Sequence, residues 1–244
     1  MNPKLEDKIK PKADLRFQDF TGADLRGADL RCADLYQANF TGANLKGARL
    51  TGARLTGALF HDAKLELAMF EGADMSHADL RRADLHNTLL MLAKLYKANL
   101  TGVDLEEANL VGANLQNANL RKAILRSTDF TGADLSYASL SHANMDTTVL
   151  IKADMRHSHL TSVNLSDSYL IDTDMRYARL MGANLHGAEL MNVDLTEADL
   201  TEAYLNQAEM IGVKLTRARL TDINHTNQPE ILAELEKRVT TNNA

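Results

Sequence analysis

The chain has 244 residues, 45% of them hydrophobic, and a formal net charge of −6. An acidic balance argues against a nucleic-acid binder held by phosphate contacts, and 5% aromatics without Trp offer no platform for stacking bases. The single cysteine, Cys32, excludes an internal disulfide.

In chain order, Pro3-Lys4-Leu5-Glu6-Asp7-Lys8-Ile9-Lys10 suits a short helix opened by proline, with Leu5 and Ile9 four residues apart and able to cover whatever follows. Residues 1–12 thus read as an N-terminal cap. They lack the apolar stretch of a secretory signal. No run of about 18 apolar residues is present to span a membrane. The expectation is a cytoplasmic protein that makes no membrane contact.

From Leu15 to Leu220 every fifth residue is Leu, Phe or Met: 42 consecutive positions, of which 32 are Leu, five Phe and five Met. Two residues ahead of each runs a second series, beginning at Ala13, in which 31 of 42 are Ala. The rest are Thr, Ser or Val except Gln18. In an α-helix a five-residue step carries the side chain about 140° away from its starting face, and in a strand an odd step flips it. A chain that turns by about a right angle every five residues keeps all 42 positions in one core. Four turns close a square coil of 20 residues, and coils stack at about 4.8 Å, the spacing of paired strands. The run makes about ten and a half coils, a rod roughly 50 Å long. We call the Leu, Phe or Met position the centre. It points inward, and the residue two before it lies near a corner and must be small.

Units such as Ala23-Asp24-Leu25-Arg26-Gly27, Ala43-Asn44-Leu45-Lys46-Gly47 and Ala133-Asp134-Leu135-Ser136-Tyr137 resemble the pentapeptide-repeat family, with Asp or Asn before the centre at 24 of the 42 positions. The resemblance covers residues 13–222. It implies an all-β solenoid, a right-handed quadrilateral parallel β-helix, here with short helical caps at both ends. It also implies a function in binding proteins, since topoisomerase-binding members resemble duplex DNA in width and charge, bind DNA gyrase and protect it from inhibitors. This chain departs from those members in its Leu-dominated centres and in having no interrupting loop.

After Leu220 the repeat stops, and residues 223–244 read as a C-terminal cap and tail. Asn227-Gln228-Pro229-Glu230 has the pattern of a helix N-terminus. A helix from Pro229 to Val239 would gather Ile231, Leu232, Leu235 and Val239 on one face, as a lid on the last coil or as a dimerisation element.

The register sorts exposed residues onto four walls, each named by its first centre. The Leu15 wall carries eight acidic and eight basic residues and the Phe20 wall six of each. The Leu25 wall carries eight acidic against four basic, densest at Asp104, Glu106 and Glu107, and the Leu30 wall six against three. On the Leu30 wall the residues just after the centres are Met91, Val111, Thr131, Ile151, Ile171, Met191 and Ile211, with Met69, Leu89, Leu92, Val149 and Tyr169 beside them. Soluble monomers rarely expose such a ladder without a partner. We expect Met91, Val111, Val149, Ile151, Tyr169, Ile171, Met191 and Ile211 to form an interface, with a second copy or another protein.

The sequence carries no comparable signal for chemistry. The histidine pairs that share both a wall and a position, His77 with His157 and His86 with His186, lie four and five coils apart. No metal site, cofactor site or catalytic residue is expected, because a rod with a filled core has no cleft in which to perturb a pKa. The expected function is a non-catalytic protein-interaction rod that binds a protein partner or a second copy of itself as a homodimer. The alternative is a DNA-mimicking protein that binds a type II topoisomerase such as DNA gyrase.

Overall fold

The computed structural model describes residues 8–224 together with Ala233. Pairing is parallel and steps by 20 residues throughout, from Asp14 with Asp34 to Tyr204 with Asn224. Each side contributes one paired residue, the one before the centre. Only at β1 (Glu189–Met191) and β2 (Glu209–Ile211) does pairing broaden into regular strand, in the register Glu189 with Glu209, Leu190 with Met210 and Met191 with Ile211.

The corners follow from backbone accounting. At most corners the N–H three residues after a centre returns to that centre's carbonyl, as Ala23 N–H does to Phe20 O at 2.9 Å. Positive φ falls on the second residue past the centre and not on the first, the signature of a type II turn. Positions in this slot from Lys12 to Asp222 are all left-handed, and all 13 glycines of the chain occupy it. The other occupants include Leu92 (φ 59°) and Tyr137 (φ 59°), which bear the cost an L side chain meets there. Their N–H groups recover part of it by pairing with the next coil, as Leu92 N–H does with Val111 O at 3.0 Å.

The inside is tiled as the period requires. Leu115 and Leu165 are fully buried, and every other centre from Leu15 to Leu220 is buried, Leu220 least so at 7% exposure. The small series lies beside them. Ala13, Gln18, Ala23 and Ala28 in the first coil are only partly covered. Where Thr replaces Ala, the hydroxyl donates to a backbone carbonyl: Thr88 to Leu85, Thr128 to Leu105, Thr148 to Leu125 and Thr173 to Leu150, at 2.7–2.9 Å. Ser168 does so to Leu165 at 2.6 Å, while the buried Ser158 hydroxyl finds no partner among the described residues. Buried polar groups demand such partners. Phe20, Phe40 and Phe60 stack along one inner wall with centroids 4.9 and 4.8 Å apart, the coil spacing itself.

The ends depart from expectation in detail. Lys8–Lys10, assigned to the end of a helix, lie in a turn and bend instead. Residues 1–7 of that expected helix lie outside the described residues. At the other end the coil runs two residues past 222, since Leu205 N–H donates to Asn224 O and Asn224 N–H to Ala203 O. Ile223 takes the small-residue slot, partly buried, and Asn224 the pairing slot, so the pattern fails only at His225. Ala233 is helical, within the segment 229–239 expected to be a helix. Ile231, Leu232, Leu235 and Val239 lie outside the described residues.

Candidate functional site

The Asp or Asn before a centre has a local structural job. Its side-chain oxygen accepts the backbone N–H two residues on, as Asn114 does from Gln116 at 3.0 Å and Asp129 from Thr131 at 2.8 Å. This Asx turn satisfies the one N–H per repeat that neither the corner nor the neighbouring coil takes up. Every one of the 24 sites with Asp or Asn makes this bond.

These bonds are shared unequally. The Leu15 wall has eight in 11 repeats, the Phe20 wall six in 11 and the Leu25 wall seven in ten. The Leu30 wall has three in ten, at Asp29, Asn109 and Asp129. Elsewhere on it the slot holds Arg49, Met69, Leu89, Val149, Tyr169, Glu189 and Glu209. Four of those seven are large apolar groups facing outward. Met69, Met91, Leu92, Tyr169 and Ile211 on this wall are exposed, Leu92 at 67% and Ile211 at 55%. Leu89, Val111, Val149, Ile151, Ile171 and Met191 are half-buried between them. The eight residues expected at an interface therefore share one face, and β1 and β2 stiffen its C-terminal end.

Ion pairs line the other walls and the N-terminal end of the Leu30 wall. Arg16 reaches Asp14 at 2.6 Å, Arg31 reaches Asp29 at 2.7 Å and Arg176 reaches Asp174 at 2.7 Å. The hydrogen bonds from Arg16 and Arg31 pull the carboxyls of Asp14 and Asp29 down to about 2. Asp62 is lowered by Arg82 and Asp79 by Arg81. Such pairs soften the field that the acidic composition would otherwise project. Of the acidic spot on the Leu25 wall, Asp104 and Glu106 are half-buried and Glu107 is exposed. Glu107 accepts a hydrogen bond from Asn87 Nδ2 at 3.1 Å.

The model of the family described as pentapeptide repeats matches the chain in 8 copies that together run from residue 12 to residue 224. The chain is a pentapeptide-repeat protein. Members of this family fold as right-handed β-helices. Among solved structures, the chain is similar to HetL of the cyanobacterium Nostoc, a pentapeptide-repeat protein involved in the regulation of heterocyst differentiation. The identity is 32%, over 86% of this chain and 91% of HetL, with a TM-score of 0.48. It is also similar to a trypsin-treated form of QnrB1, a plasmid-mediated fluoroquinolone resistance protein, at 21% identity over 79% of this chain and 96% of QnrB1, with a TM-score of 0.68. No curated protein sequence matches the chain significantly. No helix among the described residues is long and apolar enough to cross a membrane.

Two further features of this pentapeptide-repeat protein lie on the other walls. On the Leu15 wall the rings of Tyr137, His157 and Tyr177 stack face to face with centroids 4.7 Å apart and planes within 5°. Beyond Tyr177 lies an open recess lined by Arg179, Glu197, Asp199 and Arg217. The 20-residue recurrence of aromatic rings at 137, 157 and 177 was the available signal. On the Leu25 wall, His86 meets Asp104 and Glu106 of the next coil. Comparing histidines only with histidines hides that group, because its partners stand 18 and 20 residues on.

Proposed function

We propose that this pentapeptide-repeat protein is a non-catalytic interaction rod whose Leu30 wall docks against a protein, a second copy of the chain included. The observation that carries the reading is the exchange of local stabilisation for exposed apolar surface. At Met69, Leu89, Val149 and Tyr169 the wall forgoes an Asx bond that the rest of the rod uses freely. The resulting ladder runs six coils from Met91 to Ile211, about 29 Å at sheet spacing. Flat β surfaces pack face to face through such side chains, and a contiguous apolar patch of that length marks an interface. We place the protein in the cytoplasm, with the repeat domain at 13–222 and caps on either side. The C-terminal residues Ile231, Leu232, Leu235 and Val239 are a second candidate pairing element. The test is solution mass together with capture from native lysate, for the wild type and for Ile151→Lys with Ile171→Lys. Both residues are half-buried on the outer wall, so the double variant should keep its β circular dichroism and lose its partner or its dimer. A wild type that stays monomeric and captures nothing beyond what the double variant captures would defeat the reading.

A second reading is favoured by the shape match to QnrB1, a fluoroquinolone resistance protein: a rod that mimics DNA and binds a type II topoisomerase. Charge weighs against it. Duplex DNA carries one phosphate per 1.7 Å, so a mimic about 50 Å long would need about 30 negative charges. The chain's net charge is −6, and many of its carboxylates are committed to arginines. A DNA gyrase supercoiling assay with added protein separates the readings, since neither inhibition nor protection is expected from the interaction rod.

A further inference from the structure

On the Leu25 wall, one ligand atom each from His86, Asp104 and Glu106 lie within 4.8 Å of one another. We infer that these three side chains form a binding site for a divalent transition-metal ion of the zinc class, with the remaining coordination positions open to solvent. An imidazole nitrogen with two carboxylate oxygens is a donor set that suits Zn²⁺. Ligands at about 2.0–2.2 Å from a tetrahedral ion lie about 3.4 Å apart, so side-chain rotation of roughly an ångström closes the set.

The backbone places the three donors without flexible loops. His86 and Glu106 occupy the same corner slot in successive coils, one residue past centres Leu85 and Leu105. Asp104 pairs in register with Asp84 beneath it. The Asx bonds consume one oxygen of Asp84, on the His86 N–H at 3.1 Å, and one of Asp104, on the Glu106 N–H at 3.0 Å. The second oxygen of Asp104 and the half-buried imidazole of His86 have no hydrogen-bond partner among the described residues. Such groups are set to take a ligand. Arg126 reaches Glu106 at 3.7 Å and Asp146 at 3.8 Å, and so is divided between them.

The same geometry recurs without the chemistry, which supplies an internal control. His186 stands in the His86 slot five coils on, but Tyr204 and Asn206 occupy the places of Asp104 and Glu106. His61, in the equivalent slot of the Phe20 wall, has Asp79 and Arg81 there. Of these three histidines, only His86 has two carboxylates.

The experiment is calorimetric titration of the full chain, freed of metal by chelation, with ZnCl₂ in a non-coordinating buffer. One equivalent should bind saturably. His86→Ala should weaken that binding by about tenfold or more, because coordination to a neutral imidazole is lost, while His186→Ala should leave it unchanged. Arg126→Gln should tighten it by removing a competing cation. Circular dichroism confirms that each variant keeps its coil, and the outward position of all three side chains makes that outcome expected. Absence of a one-equivalent event, equal binding by His86→Ala and wild type, or weaker binding by Arg126→Gln would overturn the assignment.

Discussion

Replacing Tyr169 by Asn asks whether the apolar wall serves the fold or something outside it. Tyr169 stands where 24 other repeats carry Asp or Asn, and it is 41% exposed. The N–H of Ile171, two residues on, finds no acceptor among the described residues. An Asn at 169 would supply one, in the arrangement by which Asn164 accepts from Ser166 at 3.3 Å and Asn184 from His186 at 3.1 Å. A hydrogen bond of this kind is worth about 0.5–1.5 kcal/mol net. Against it stands the loss of the buried part of the tyrosine ring, a fraction of the ~1.5–3 kcal/mol for fully burying a large apolar side chain. The two contributions nearly cancel, so folding stability should move by less than about 1 kcal/mol while association through the wall weakens. Urea unfolding followed by circular dichroism reads the first quantity, and sedimentation or partner capture reads the second. A loss of more than about 2 kcal/mol with association intact would mean that the outer ladder is a structural brace, and the reasoning behind the interface would fail.

Other outcomes follow from the core, the corners and the ion pairs. Phe40→Leu should cost about 1–3 kcal/mol more than Phe130→Leu in urea unfolding. Phe40 stacks on two rings, each worth about 0.5–1.5 kcal/mol beyond area, whereas no ring contact is seen at Phe130 among the described residues. Gly132→Ala meets open space but keeps φ near +65°, so it should cost about 1–2 kcal/mol from backbone conformation alone. Asp14 and Asp29 are held at about 2 in the folded chain, below the ordinary value of 3.8. A lowered folded-state pKa gives stability that is present above the unfolded value and lost as pH falls through the folded one. Acid titration monitored by circular dichroism should therefore show these contributions intact from pH 7 to about 4 and lost between about 4 and 2.

The coil itself was legible because a single demand, burial at one residue in five, repeats without interruption and excludes helix and flat strand. Fully buried Leu115 and Leu165 meet that demand. The eight wall residues were legible for the same reason, since the 20-residue register assigns each to a face. The reason for Asp or Asn before the centre was not, because it depends on which N–H the square coil leaves unpaired. Asn114 reveals it only once the other bonds of its repeat are placed. His86 with Asp104 and Glu106 was readable in principle from spacings of 18 and 20, but a search down one column passes it by. The ends were read less well. Lys8–Lys10 turn where a helix was expected, and Ile223 and Asn224 extend the coil, because there the periodic constraint gives way to local preference.

The square coil is tested most directly by a distance between two corners of one wall. Cys32 is exposed in the left-handed slot (φ 56°), and Lys152 occupies the same slot 120 residues later. Lys152→Cys adds one labelling site, and spin labels on the two cysteines should lie about 29 Å apart, six coils at sheet spacing. A narrow distribution centred there is the predicted result. A broad distribution, or a centre beyond about 40 Å, would contradict the 20-residue coil on which every assignment to a wall depends.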